Sequence, residues 1–230
     1  MPLPTVILPG FLESAEAYSN LEKSLKKLGF PTATVPLQRR DWIATLGGRP
    51  VTPILKHLDS TVERILQQKN ASQINLIGHS AGGWISRIYL GEVAYGKDNL
   101  NLLTWKGHPK VATLVTLGTP HISLERWTRS NLDFVNNNYP GAFYKKVSYV
   151  CVAGKTIFGK RKLGNWLAYN SYKLTCGEGN TWGDGITPIK AAHLEGARNL
   201  IIENVMHSPR SSKAWYGSQQ SLSSWSQFLA

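Results

Sequence analysis

The sequence predicts an α/β protein, an open, mostly parallel sheet of about six strands flanked by helices. Two observations predict it. Short apolar runs alternate along the chain with segments whose apolar residues recur at spacings of three and four. No internal repeat, low-complexity tract or Pro/Gly/Ser-rich linker interrupts that alternation. The 230 residues suit one hydrophobic core, so a single domain over residues 1–230 is expected.

The elements follow in order. Thr5–Leu8 reads as a buried strand ended by Pro9-Gly10. Glu13–Leu28 reads as a helix, with Leu21, Leu25 and Leu28 on one face and Gly29 as its stop. Thr32–Leu37 is a second strand. Pro53–Gln68 is a helix with Ile54, Leu55, Leu58, Val62, Ile65 and Leu66 along one stripe. Gln73–Ile77 is a third strand, and Gly82–Leu90 opens the next helix. Val111–Leu117, Val147–Ala153 and Asn199–Val205 complete the strands, and Ser218–Leu229 reads as a closing helix. Open α/β sheets bind ligands beyond the carboxyl ends of their strands, so chemistry-bearing residues should follow strands.

Composition excludes several classes. With 42% hydrophobic and 17% charged residues and eight Trp, the chain is not disordered. No apolar run approaches the length of a spanning helix. Two cysteines, Cys151 in an apolar stretch and Cys176 in a loop, make no disulfide framework and read as free thiols. Met1-Pro-Leu-Pro runs directly into the first strand with no basic and apolar leader, so a cytoplasmic location is expected, peripheral to a membrane at most.

Lys and Arg number 26 against 14 Asp and Glu, for a formal charge of +12. From Phe134 to Gly177 there are seven basic residues and no acid, with a tight cluster at Gly159-Lys-Arg-Lys-Leu-Gly. No aromatic RNA-binding strand or helix-turn-helix pattern accompanies them, so no specific nucleic-acid partner is expected. A solvated face is the plain reading, and weak attraction to an anionic membrane surface the alternative.

Gly78-His79-Ser80-Ala81-Gly82 is a G-x-S-x-G pattern set between a strand ending and a helix beginning. Such an elbow exposes the serine hydroxyl, and the positions two away must be small because strand and helix backbones nearly touch. A serine needs a base. Of six histidines, His207 and His121 follow strands; His207, after the last strand, is the expected base and His121 its rival. His79 points away because its neighbour occupies the elbow, His57 lies on a helix surface, and His108 and His193 sit in loops. A base needs an orienting carboxylate. Asp184, flanked by glycines in Trp182-Gly-Asp-Gly-Ile-Thr-Pro, is the candidate, with Asp133 and Glu195 as rivals. The amide of Ala81, at the helix start, and that of Phe11, in the loop after the first strand, are the candidate oxyanion donors.

The order Ser80, Asp184, His207, with Leu8-Pro-Gly-Phe, Gly118-Thr-Pro and Gly183-Asp-Gly-Ile-Thr-Pro, resembles the α/β-hydrolase fold. More narrowly it is similar to small lipases and the lipase-like inositol-deacylase group, from Thr5 to His207. The resemblance implies a serine nucleophile, an oxyanion amide from the Gly10-Phe11 loop, an acid in the Gly-Asp-Gly loop, a compact core and a small or absent lid. Two features depart from the pattern. Pro9 stands where the family usually has histidine, so any hydrogen bond from that histidine is missing, and the two antiparallel strands that open larger members are not in the sequence.

Together these residues predict a carboxylic ester hydrolase acting through an acyl-enzyme, without cofactor or metal. The loops Phe11–Tyr18, Pro36–Pro50, Tyr95–Pro109 and His121–Phe143 should flank the site, and they hold Leu12, Trp42, Ile43, Leu46, Leu100, Leu102, Leu103, Trp105, Trp127 and Phe134. Leu12, Trp42 and Trp105 are the candidate substrate contacts, and the apolar walls suit a lipophilic ester. Thioester hydrolysis, acyl transfer and a non-catalytic binding module are the competing readings.

Overall fold

The computed structural model describes residues 2–98 and 101–230. Six parallel strands form the sheet: β1 (Thr5–Leu8), β2 (Thr32–Thr34), β3 (Ile74–His79), β4 (Val111–Leu117), β5 (Ser148–Lys155) and β6 (Arg198–Glu203), in spatial order 2-1-3-4-5-6. The helices are α1 (Ser19–Lys27), α2 (Thr52–Lys69), α3 (Ala81–Leu90), α4 (Arg126–Asn138), α5 (Trp166–Cys176), α6 (Ile189–Ala192) and α7 (Gln219–Ser226). The sheet order reverses direction at β1, which puts a crevice beyond the carboxyl ends of β1 and β3.

Strand alternation builds two cores. Val6, Leu8, Leu76, Leu114 and Cys151 face one side and pack with Ile54, Leu58 and Val62 of α2, Ile85 and Ile88 of α3, and Leu132 and Val135 of α4. Ile7, Ile77, Val115, Val150 and Val152 face the other and pack with Leu21 and Leu25 of α1 and Leu222 and Trp225 of α7. Each fully buried aliphatic side chain contributes about 1.5–3 kcal/mol. Every residue of β1 and β3 is buried, which fits strands covered on both faces.

Several boundaries differ from the sequence expectation. The helix expected from Glu13 begins as a 3-10 turn at Ala15–Tyr18, and β2 stops at Thr34. Two long segments expected as loops are helical. Arg39–Gly48 forms 3-10 turns kinked at Leu46 and Gly47, and Arg126–Asn138 is α4, capped by the Glu125 carboxylate on the amides of Trp127 and Thr128. Cys176 ends α5 rather than lying in a loop. Its partner in composition, Cys151, is buried in β5, and both are free thiols.

Candidate active site

Ser80 links β3 to α3 with φ +52° and ψ −123°, a conformation that L side chains rarely adopt and that costs about 1–3 kcal/mol. Its amide donates to the Leu117 carbonyl at 2.9 Å, so β4 holds the elbow from behind. The two glycines explain how the chain can turn there. A Cβ at Gly78 would stand 2.6 Å from Gly82 backbone, and one at Gly82 would strike the Leu8 and Pro9 carbonyls.

Folding brings together three residues distant in sequence. His207 Nε2 lies 2.9 Å from Ser80 Oγ, and His207 Nδ1 lies 2.8 Å from Asp184 Oδ2. A carboxylate only accepts, so Nδ1 carries the proton, and in the neutral ring Nε2 is left to accept from the Ser80 hydroxyl. Asp184 is wholly buried. Its Oδ1 accepts from the Ile186 and Thr187 amides at 3.0 and 2.7 Å, and its Oδ2 also accepts from the Tyr216 hydroxyl at 2.6 Å. Burial pushes its pKa up, but the His207 charge and the bonds from His207, Tyr216 and Thr187 outweigh that and hold the carboxyl below its ordinary range. Tyr216 in turn accepts from the Gly154 amide at 2.8 Å, and burial with the Asp184 charge raises its own pKa.

The rival residues lie elsewhere. His121 is buried among Arg87 Nη1, Thr116 Oγ1 and Cys151 Sγ at 3.4, 3.2 and 3.5 Å. Asp133 pairs with Arg129 on the surface of α4 at 3.4 Å, and Glu195 is exposed. His108 stacks on Tyr144, and His57 is exposed on α2.

The first-strand loop is pressed onto the elbow. A Cβ at Gly10 would be 3.0 Å from both Ser80 Cβ and His79 Nδ1. The Glu13 amide closes the turn onto the Gly10 carbonyl at 3.0 Å, with Leu12 at φ +57°. Ala81 is the first residue of α3, where helix amides have no partner inside the helix. Among the described residues, neither the Ala81 nor the Phe11 amide is bonded to another backbone group. Ala81 directly follows Ser80, and Phe11 follows Gly10, whose position abuts the Ser80 side chain.

Sequence reasoning missed Tyr18 and set His79 aside. Tyr18 Oη accepts from the Gly10 amide at 2.9 Å and lies 2.6 Å from His79 Nδ1, while His79 Nε2 lies 2.9 Å from the His207 carbonyl. That carbonyl only accepts, so Nε2 carries the His79 proton and Nδ1 receives the Tyr18 O–H. Burial, then the His207 charge, pushes the His79 pKa down to about 3, so the ring is neutral. His79 ties the Gly10 loop to the His207 backbone, its ring 5.0 Å from that of His207.

A cleft of about 320 Å³ opens at Ser80 and Ala81, walled by Phe11, Trp42, Leu46, Val51, Trp84 and Trp127. Trp42 is buried, donates its indole N–H to the Glu13 carbonyl at 3.1 Å, and meets Phe11 edge-on at 5.6 Å. Two expected contacts need correction. Leu12 does not line this cleft; its backbone is left-handed and its side chain is exposed. Trp105 does not reach it either: its segment leaves the far end of α3, and the ring packs against the core with its N–H donating to the Tyr95 carbonyl at 3.3 Å. Of the remaining wall residues, Phe134 packs against the core beside Tyr95, Ile43 is exposed outside the cleft, and Leu100 lies outside the described residues. A larger hollow of about 630 Å³, lined by Lys26, Phe30 and Arg64, sits where the chain enters β2, away from Ser80.

Comparison with known proteins places the chain in a family. No curated protein matches the chain. Among solved structures, the lin2722 gene product from Listeria innocua superposes with a TM-score of 0.55 at 14% identity, over 99% of this chain and 94% of that one. A CIB-like hydrolase from Thermoplasma acidophilum gives 0.41 at 14% identity, over 89% and 77%. An esterase from Exiguobacterium antarcticum gives 0.33 at 19% identity, over 54% of this chain and 41% of the esterase. The model of the PGAP1-like alpha/beta domain matches residues 40–156, which include the Ser80 elbow and end before Asp184 and His207. That match spans more than half of a chain with the α/β-hydrolase fold, and the protein therefore belongs to the family of PGAP1-like alpha/beta domains.

Proposed function

We propose that the protein is a serine hydrolase that cleaves lipophilic carboxylic esters. The observation that carries the reading is the continuous line from Ser80 Oγ through His207 to the buried Asp184, with contacts of 2.9 and 2.8 Å. In this reading Ser80 Oγ attacks the ester carbonyl carbon while His207 Nε2 takes its proton. The amides of Ala81 and Phe11 hold the oxyanion, each donor contributing about a hundredfold to a thousandfold in rate. The tetrahedral intermediate collapses with loss of the alcohol, which leaves with the proton from His207. Water then attacks the acyl-enzyme, gives a proton to His207, and the acid departs as Ser80 regains its own. Asp184 fixes the tautomer and stabilises the imidazolium.

The apolar cleft supports a lipophilic acyl or alkyl group beside Ser80. Hydrolysis of p-nitrophenyl esters of increasing chain length tests the substrate class, and labelling by a fluorophosphonate tests the nucleophile. Labelling of the native chain but not of Ser80→Ala is expected. No labelling of either, with no ester cleaved, would leave a binding module as the better reading. Cleavage of thioesters alone, or transfer to an added alcohol in place of water, would redirect the assignment to the competing enzymes on the same acyl-enzyme.

A further inference from the structure

Many of the exposed apolar side chains gather at one end of the sheet, although others, such as Leu28, Val93, Leu102, Phe143 and Ile201, lie elsewhere. Phe11 and Leu12 follow β1, Ile43 and Leu46 follow β2, and Leu124 and Trp127 follow β4. All belong to segments leaving the carboxyl ends of the strands, the end that carries Ser80. The segment after β5 goes furthest. Leu163 is 105% exposed, Leu167 75% and Trp166 57%, at and just before the start of α5. The helix buries Ala168, Tyr169 and Tyr172 on one face and leaves Leu167 and Leu174, seven residues apart, on the other.

Cations border this tip. Lys160, Arg161 and Lys162 immediately precede Leu163, and Lys173 lies beside Leu174. None of the four makes an ion pair with a carboxylate among the described residues. Arg161 is instead laid over the Tyr169 ring and donates to its hydroxyl at 2.7 Å, and Lys160 lies over Phe158, which holds both cations at the root of the tip.

We infer that this surface docks on an anionic lipid bilayer, with Leu163, Trp166 and Leu167 entering the headgroup boundary and Lys160, Arg161, Lys162 and Lys173 meeting lipid phosphates. The chemistry favours lipid over a protein partner. Leu163 is fully exposed, and the hollow beside it is lined by Arg161, Lys162, Gly164, Trp166 and Leu167, cations and apolar side chains together. Lysine is depleted in protein interfaces, whereas tryptophan and cations flanking apolar residues match the layered chemistry of a bilayer surface. No helix among the described residues is long and apolar enough to cross a membrane, so the contact is peripheral. Docking there does not depend on the proposed catalysis, and a Ser80→Ala chain keeps it.

The test is co-sedimentation of the full chain with vesicles of equal parts phosphatidylcholine and phosphatidylglycerol, against phosphatidylcholine alone. Binding to the anionic vesicles is expected, with a loss on the order of tenfold or more for the pair Leu163→Asp and Leu167→Asp. Lys160→Ala, Arg161→Ala and Lys162→Ala should each weaken it by roughly fivefold, and added salt should do the same. Cleavage of a soluble short-chain p-nitrophenyl ester, where the native chain shows it, should be unchanged in all of these surface variants. The inference is overturned if the native chain stays in the supernatant with anionic vesicles, or if the Asp variants sediment like the native chain. It is equally overturned if those substitutions abolish self-association or RNA binding while vesicle binding is absent.

Discussion

The Tyr18 hydroxyl and the His79 ring form one unit, with Oη 2.6 Å from Nδ1, although 61 positions separate them. Through it the Gly10 amide on one side and the His207 carbonyl on the other are held by a single chain of three hydrogen bonds. The loop expected to bind the oxyanion and the backbone of the expected base are thereby fixed relative to each other.

Breaking that chain should therefore lower kcat more than it raises KM. Tyr18→Phe removes the acceptor of the Gly10 amide and the donor to His79 at once. A drop in kcat of about tenfold, with KM changed by less than about twofold, is expected, along with a stability loss of about 1–3 kcal/mol from the buried groups left unpaired. Steady-state kinetics on a short-chain ester and urea unfolding check both parts. Unchanged kcat in a folded variant would assign Tyr18 to the core alone.

His79 also predicts a pH dependence of stability. Its ordinary value is 6.5 and its folded value about 3, lowered by burial and then by the His207 charge. Between those values the unfolded chain binds a proton that the native ring refuses, so stability is full above about pH 6.5 and falls as pH drops toward 3. Asp184, held low by its partners, acts in the same direction as acid reaches its own range. A His79→Gln chain should unfold with a shallower loss between pH 6.5 and 4 than the native chain, measured by urea midpoints across that range.

Strain at the elbow should be measurable. Ser80→Gly removes both the hydroxyl and the Cβ from a backbone at φ +52°. Ester hydrolysis should fall by roughly a millionfold, while stability should rise by about 1 kcal/mol or more, as an increase of about 2–4 °C in Tm. Ser80→Ala should match it in activity without the full gain in Tm.

Tyr216 should matter through Asp184. Tyr216→Phe removes the 2.6 Å donor to Oδ2 and leaves the Gly154 amide without its acceptor. A loss of kcat/KM of about tenfold is expected, with a stability loss of about 1–3 kcal/mol. The acid limb of the pH–rate profile gives the distinguishing readout. It should shift if Tyr216 tunes the Asp184–His207 pair, and stay in place if the residue only packs.

The cleft makes a specificity prediction. Leu46 lines it and is partly exposed, so a larger side chain fits without disturbing the core. Leu46→Trp should raise KM for long-chain esters about tenfold and leave acetate esters within about twofold, since one or two lost methylene contacts are worth roughly 1–3 kcal/mol.

The sequence by itself determined the strands and the elbow. Thr5–Leu8 and Val111–Leu117 run to the expected residues because local apolar runs with clear stops leave little choice. Ser80 was legible because Gly78 and Gly82 answer to a purely local demand, two backbones passing too closely for a Cβ. Asp184 and His207 were legible as residues following strands, since the fold class alone sends such positions to one end of the sheet. Helix α4 was not legible, because Arg-Trp-Thr-Arg-Ser-Asn-Leu-Asp-Phe-Val-Asn-Asn-Asn offers only a thin apolar stripe and a cap that precedes it. Only the tertiary structure decided that Trp42 faces the cleft while Trp105 turns into the core, and that Tyr18, His79 and Tyr216 brace the site. The bracing roles consist of hydrogen bonds between segments distant in sequence that packing against one sheet brings close. Nothing in the local pattern around each residue encodes which distant group it will meet.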